Sequence, residues 1–338
     1  MRIALDATGG DHGWQPSVAG AAAALAAAPD LTVVLVGDRA TLEAAVSANG
    51  TFPASRVEIV HAPDAIGMDE KPVEALRRKP DNSISKCWQL LATKQVDGLV
   101  SAGNTGAVVG AGLFTRRFLK GIRKPGIAAV LPTYTGKVVL LDVGANVFPK
   151  PSHLLHYGLM GAAFAERMLG VETPRIGLLN VGAEEAKGHE LAQQAHALFR
   201  NSPLSDRFLG NVEGRDVHSG HCDVIVTDGF AGNVLLKYAE GVTEFLLKTV
   251  QQEVVVPLMT DRPIAAAALK QLAMKYHSSA SGGAPLLGVD GVCIKCHGAA
   301  DDRAIANALT VAAQNVRVRL NERIVEEMAT LPTISDEE

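Results

Sequence analysis

Aromatic residues make up only 4% of this 338-residue chain, and no stretch near twenty residues is both apolar and free of charge. The first scarcity disfavours a β-sandwich, and the second excludes a helix that spans a membrane. A strong excess of either charge is missing too. The formal net charge is −4 and the pI about 6.2, so no global positive field draws nucleic acid. The opening MRIALDATGGDHG reaches Asp6 too soon for the apolar core of a secretory signal. The chain is therefore expected in the cytoplasm, with its four cysteines reduced.

Several chemical signatures are also lacking. No GxGxxG opens a helix after a strand, and no GxxxxGK[ST] is present, so dinucleotide and P-loop sites lack their marks. Without a GxSxG elbow or a cysteine beside a His/Asn set, covalent catalysis has no evident nucleophile. No HExxH or EF-hand loop appears and the acids are scattered, so neither a metal nor any other cofactor is expected. Cys293-Ile294-Lys295-Cys296-His297 does have the CxxCH spacing of a c-type haem attachment. A cytochrome would need export, a second axial ligand and an apolar crevice, and the sequence displays none of these. Zinc fares no better, because Cys87 and Cys222 stand alone.

What is present is an alternation of short apolar runs and longer helical patterns. Strands are expected at 2–6, 31–37, 56–60, 98–102, 126–131, 137–142, 175–180, 207–211 and 223–228, with helices such as Ser83–Gln95, His153–Leu169 and Glu185–Arg200 between them. That order predicts a three-layer α/β/α fold around a mainly parallel sheet. A single domain is expected over 1–325, with a lobe boundary near 137–151 as an option and a tail at 326–338. Five expected strands end in loops rich in Gly with Asn, Asp or Thr: LDATGGDHG, SAGNTGA, LDVGAN, LNVGAEEAKG and TDGFAGN. In open α/β sheets such ends share one edge, where ligands bind and backbone N–H groups attract anions. The pattern points to a phosphate-type site, although Gly and Asn also serve as turn residues.

Six segments in order, ALDATGGDHG (4–13), VSAGNTGA (100–107), NVGAEEAKG (180–188), GNVEGRDV (210–217), VTDGFAGNVLLK (226–237) and GGAPLLGVDG (282–291), resemble the bacterial phosphate acyltransferases of phospholipid synthesis. The match runs from Met1 to about Arg319. It implies an architecture like that of isocitrate/isopropylmalate dehydrogenases and phosphotransacetylases. It also implies formation of acyl phosphate from acyl-carrier-protein thioesters and orthophosphate. The CxxCH match then has a duller cause, since Cys296 stands where the family commonly carries Ser. Thr8 is a second departure, replacing the usual Met.

Phosphate is a competent nucleophile, so the enzyme has to hold a dianion against a carbonyl and stabilise the developing oxyanion. Lys187, expected early in the helix after strand 175–180, matches the family's functional lysine; a solvated helix lysine is the plainer alternative. Asn233 matches the family's active-site asparagine and could equally be a helix N-cap. His297 is assigned as a hydrogen-bond donor or an acid to the leaving thiol, with a structural histidine as its rival. Gly9, Gly10, His12, Asn104, Thr105, Asn180 and Gly232 are assigned to substrate binding, each with a turn or cap role as the alternative.

The nearest rival function is a phosphate acetyl- or butyryltransferase using coenzyme A thioesters. A nicotinamide-dependent hydroxy-acid dehydrogenase and a non-catalytic binding protein are more distant. Arg116, Arg117 and Lys120, in an acid-free basic run, are expected to dock the acidic carrier protein. Residues 243–276 read as a helical hairpin turned near Pro257 and Pro263. Val255, Val256, Leu258 and Met259 at its tip are expected to touch the inner membrane face peripherally. The resemblance implies a homodimer, and leaves open a membrane glycerol-3-phosphate acyltransferase as a further partner.

Overall fold

The computed structural model describes residues 1–50, 52–276 and 282–332. Its strands are β1 (Arg2–Asp6), β2 (Thr32–Gly37), β3 (Val57–His61), β4 (Gly98–Ser101), β5 (Gly126–Pro132), β6 (Lys137–Leu141), β7 (Ile176–Asn180), β8 (Phe208–Glu213), β9 (Val224–Val226), β10 (Ala284–Leu287) and β11 (Val292–Lys295). They form one eleven-stranded sheet in the order β3-β2-β1-β4-β11-β10-β5-β6-β9-β7-β8. Apolar runs identify nine of these strands. β10 escapes the pattern, being four residues long with Pro285 inside it.

Period-two alternation gives the sheet a core on each face. On one face Ala4, Val34, Leu99, Cys293, Leu286, Ile127, Leu140 and Ile225 belong to a single hydrophobic cluster running across both halves of the sheet. On the other face the core divides, with Ile3, Leu35 and Ile294 in one cluster and Ala128, Val139 and Val224 in another. Of the helices, α1 (Gln15–Ala27) and α2 (Arg39–Asn49) cover the divided face, while α3 (Pro72–Arg78), α4 (Ser83–Ala92) and α5 (Thr105–Thr115) cover the continuous one. α6 (Pro151–Leu169) and α7 (Glu190–Arg200) return to the divided face, and α8 (Gly229–Val250) packs Leu235 and Leu236 on the continuous face. α9 (Arg262–Tyr276) leaves the body, while α10 (Asp302–Arg317) and α11 (Leu320–Met328) complete the divided face. The expected three layers are present.

Strand direction corrects one expectation. β1, β2, β3, β4 and β11 run parallel, as do β6, β9, β7 and β8. The three junctions β11–β10, β10–β5 and β5–β6 are antiparallel, so the two sets point opposite ways. The glycine loops therefore do not share one sheet edge. Loops after β1 and β4 leave one edge, and loops after β6, β7 and β9 leave the other. Side-chain periodicity carries no record of strand direction, so the reversal is invisible in sequence.

The hairpin is present and its first arm is longer than expected. α8 starts beside the strand-end loops, and its 22 residues span about 33 Å. One π-helical turn, Gln251–Val255, follows before the tip. There the Val256 N–H donates to the Gln251 carbonyl at 2.9 Å, and the widened turn rotates Val255 inward. Val255 is only 2% exposed, so it does not face outward as expected, whereas Val256 and Met259 are exposed and Leu258 is half-buried. The expected tail is corrected as well. α11 continues to Met328, and Glu327 accepts from Arg207 at 3.1 Å and pairs with Arg323. Residues 333–338 lie outside the described residues.

Candidate active site

At the first edge, three loops cross over the ends of β1, β4 and β11. The Asp11 N–H donates to the Gly298 carbonyl at 2.8 Å. A Cβ on Gly10, whose φ is +102°, would lie 2.8 Å from that same carbonyl. Gly9 sits over the Asp6 carboxylate so closely that a Cβ there would come within 2.3 Å of Oδ2. Glycine is required here because backbones meet where side chains would collide. Asn104 caps α5, accepting from the Ala107 N–H at 3.1 Å, and its amide donates to the Met68 carbonyl at 2.9 Å. His12, Thr105 and His297 stand exposed around this crossing, and His297 Nδ1 accepts the Ala299 N–H at 3.2 Å.

At the second edge the buried Asp142 builds the loop. Its Oδ1 accepts the N–H groups of Ile127, Gly144 and Ala145 at 2.9, 3.1 and 3.0 Å, and its Oδ2 accepts that of Asn146 at 2.7 Å. Burial pushes this carboxyl up and the four donors oppose the shift. Asp228 caps α8, accepting from Phe230 and Ala231, so Asn233 is not the cap that its position also allowed. Asn233 instead donates to the Val143 carbonyl at 2.8 Å. Gly232 is buried, and a Cβ there would lie 2.0 Å from the Asp142 carbonyl oxygen, a packing role rather than an open binding position.

Lys187 corrects its own expectation. α7 begins at Glu190, so Lys187 is an exposed loop residue and not a helical one. Gly188 at φ +86° breaks the helical pattern, and a Cβ there would meet Asn180 Oδ1 at 2.3 Å. Asn180 Nδ2 donates to the Lys187 carbonyl at 3.0 Å, and Asn211 Nδ2 donates to that of Glu184 at 2.8 Å. These two amides hold the loop that presents the lysine.

The expected residues thus fall into two groups: Gly9, Gly10, His12, Asn104, Thr105 and His297 at one edge, and Asn180, Lys187, Gly232 and Asn233 at the other. Among the described residues no hydrogen bond or ion pair joins the groups. A shared core does, since Val143, Ala145, Leu235 and Leu236 lie in the same cluster as Ile84, Trp88 and Val108. Sequence reading missed Asp6, Asp142, Asn211 and Lys295. The first two carry a signal in hindsight, because each is the acid of an "LD" pair ending a strand run before a glycine loop. Among the described residues no three His, Cys, Asp or Glu side chains gather to hold a metal. Cys293 and Cys296 belong to clusters on opposite faces of the sheet, so the CxxCH thiols cannot grip one ion or one haem edge.

The fold is shared with solved phosphotransacetylases. A solved phosphotransacetylase from Streptococcus pyogenes superposes with a TM-score of 0.62 at 17% identity, covering 94% of each chain. A branched-chain phosphotransacylase from Enterococcus faecalis V583 gives 0.56 at 15% identity, over 93% of this chain and 99% of that one. More specifically, the chain belongs to the family described as "Fatty acid synthesis protein", whose model matches residues 1–323. A relative named "Phosphate acyltransferase" from Nitratidesulfovibrio vulgaris (strain DP4) is 44% identical over 326 residues, 96% of this chain and 94% of the relative.

Proposed function

We propose that the protein is a phosphate acyltransferase that moves an acyl group from acyl carrier protein to orthophosphate. The observation that carries this reading is 44% identity over 96% of the chain to a protein of that name, on a fold whose strand-end loops include the exposed Lys187. An oxygen of hydrogen phosphate attacks the thioester carbonyl, forming a C–O bond. The tetrahedral oxyanion then collapses, the C–S bond breaks, and the phosphate proton goes to the departing thiolate. Lys187 supplies positive charge near the dianion and the oxyanion, and Asn233 an amide donor. Sheet twist supports a common cleft for the two edges. Six steps separate β1 from β9, and at about 20–25° each the twist turns oppositely directed strand ends toward one side.

Three finer assignments accompany it. Arg116, Arg117 and Lys120 are exposed on the loop after α5 and supply complementary charge for an acidic carrier. That loop lies at the far end of α5, about 16 Å from the Asn104 cap. Phe230, Val234, Tyr238 and Phe245 form an exposed apolar stripe on α8, which supports self-association into a dimer. Exposed Val256 and Met259 support peripheral membrane contact at the hairpin tip. No helix among the described residues is long and apolar enough to cross a membrane.

The experiment is acyl phosphate trapping with hydroxylamine, comparing acyl carrier protein and coenzyme A thioesters. Phosphate-dependent product from the carrier thioester is expected. No product overturns the reading, and preference for the coenzyme thioester replaces the donor.

A further inference from the structure

Two buried ionisable side chains lie under the first-edge loops and have no part in the transfer step above. Asp6 has no exposure and Lys295 is 7% exposed. They end β1 and β11, with β4 between. Asp6 pairs in register with Ser101, and Ser101 with Lys295, so the three form one row across the strand ends. Their even spacing from Ala4, Leu99 and Cys293 puts all three side chains on the continuous-core face.

The contacts in this row are incomplete. Ser101 Oγ donates to Asp6 Oδ2 at 2.6 Å. Ser83 with the Thr8 and Gly9 N–H groups approaches the carboxyl, but Oδ1 closes no hydrogen bond of good geometry. Burial pushes the acid up and these donors oppose the shift. Lys295 Nζ donates to the carbonyls of Cys296 and Ala102, the latter at 3.5 Å, and among the described residues to no carboxylate. Those carbonyls open the loops that carry His297 and Asn104. A buried acid and amine without full pairing add little to stability beside an apolar pair of similar size, so folding alone does not account for them. Burial lowers the lysine's pKa, and the Cys296 thiol and Asp6 oppose that shift.

We propose that Lys295 is a positioning residue for phosphate: its buried amine ties the 102 and 296 loops together and offsets the charge of an anion seated where they cross Gly9 and Gly10. The proposal rests on the phosphate acyltransferase reading. It adds the cation and the place of the anion. Without Lys295, the only buried ionisable group under the seat would be Asp6, and the anion would depend on Lys187 for its cation. The loops would also lose the tie that joins them. The thioester end of the reaction would be untouched.

The test is Lys295→Met beside Lys295→Arg. Lys295→Met is expected to raise the phosphate KM by about tenfold to a hundredfold, with kcat and the thioester KM changing little. Lys295→Arg is expected to recover part of the phosphate KM. The double variant Asp6→Asn/Lys295→Met leaves no unpaired charge, and carries the same measurement if the single variant does not fold. A folded variant with the wild-type phosphate KM overturns the proposal, as does a parallel loss in kcat and both KM values. A second readout needs neither variant to turn over. In wild-type protein with isotope-labelled lysine, inorganic phosphate is expected to shift the Lys295 Cε resonance, assigned through Lys295→Arg. A silent resonance overturns the seat even if the enzyme makes acyl phosphate. Absence of acyl phosphate from wild type, with the shift present, fails only the transfer reading.

Discussion

Asn233 Nδ2 donates to the Val143 carbonyl at 2.8 Å, tying the second turn of α8 to the loop that follows β6. The tie fixes a donor beside a loop already folded around Asp142. Asn233→Ala is expected to lower kcat by about 10²-fold and to cost about 1 kcal/mol of stability, because the carbonyl loses its partner. Steady-state kinetics with a denaturant titration separates the effects. Normal turnover in the destabilised variant would leave Asn233 a structural tie.

Lys187 should behave differently. Its side chain is exposed, and the loop is held through its carbonyl by Asn180. Lys187→Ala is therefore expected to lose about 10²–10³ in rate while its melting temperature stays near wild type. Near-normal turnover of the purified variant would sink the assignment.

The thiols of the CxxCH segment point to opposite faces and are 1% and 3% exposed. Burial pushes Cys296 up to about 12 and Cys293 upward too, so neither is a ready thiolate. Cys296→Ser is expected to stay active, and native protein to react slowly with a thiol reagent. Stoichiometric metal or a haem Soret band in purified protein would contradict this geometry.

Glu70 ties down the loop whose Met68 and Glu70 carbonyls receive the Asn104 amide. It accepts from Lys79 at 2.6 Å, from the Gly67 N–H at 2.8 Å and from Arg78. Lys79 and the Gly67 N–H hold its carboxyl down to about 2, below the ordinary 4.5. A depressed acid contributes stability above its unfolded pKa and loses it as pH falls. The contribution should fade between about pH 4.5 and 2. Glu70→Gln is expected to flatten that part of the melting-temperature profile. An unchanged acid limb would exclude the carboxylate as its source.

At the hairpin tip, outward and inward residues should separate. Val256→Asp/Met259→Asp is expected to reduce co-sedimentation with anionic vesicles and leave the melting temperature alone. Val255→Asp is expected to destabilise, since it buries a charge. Equal sedimentation of wild type and the double variant, with the same oligomeric state, would remove the tip as an anchor.

Local physics wrote much of this protein into its sequence. Alternation in RIALD and KVVLLD fixes which side chains enter which core, because pleating has period two. Pro257 and Pro263 fix a hairpin, and the glycine loops fix where backbones approach closely. What the sequence could not determine depends on partners distant in the chain. Strand direction across β10, β5 and β6 is set by pairing, so the division of the glycine loops between two edges had no local signal. Val255 is turned inward by a π turn that composition does not encode. Asp6, Ser101 and Lys295 are separated by 95 and 194 residues. Only register across three parallel strands brings them into one row, where burial gives an ordinary aspartate and lysine their unusual chemistry.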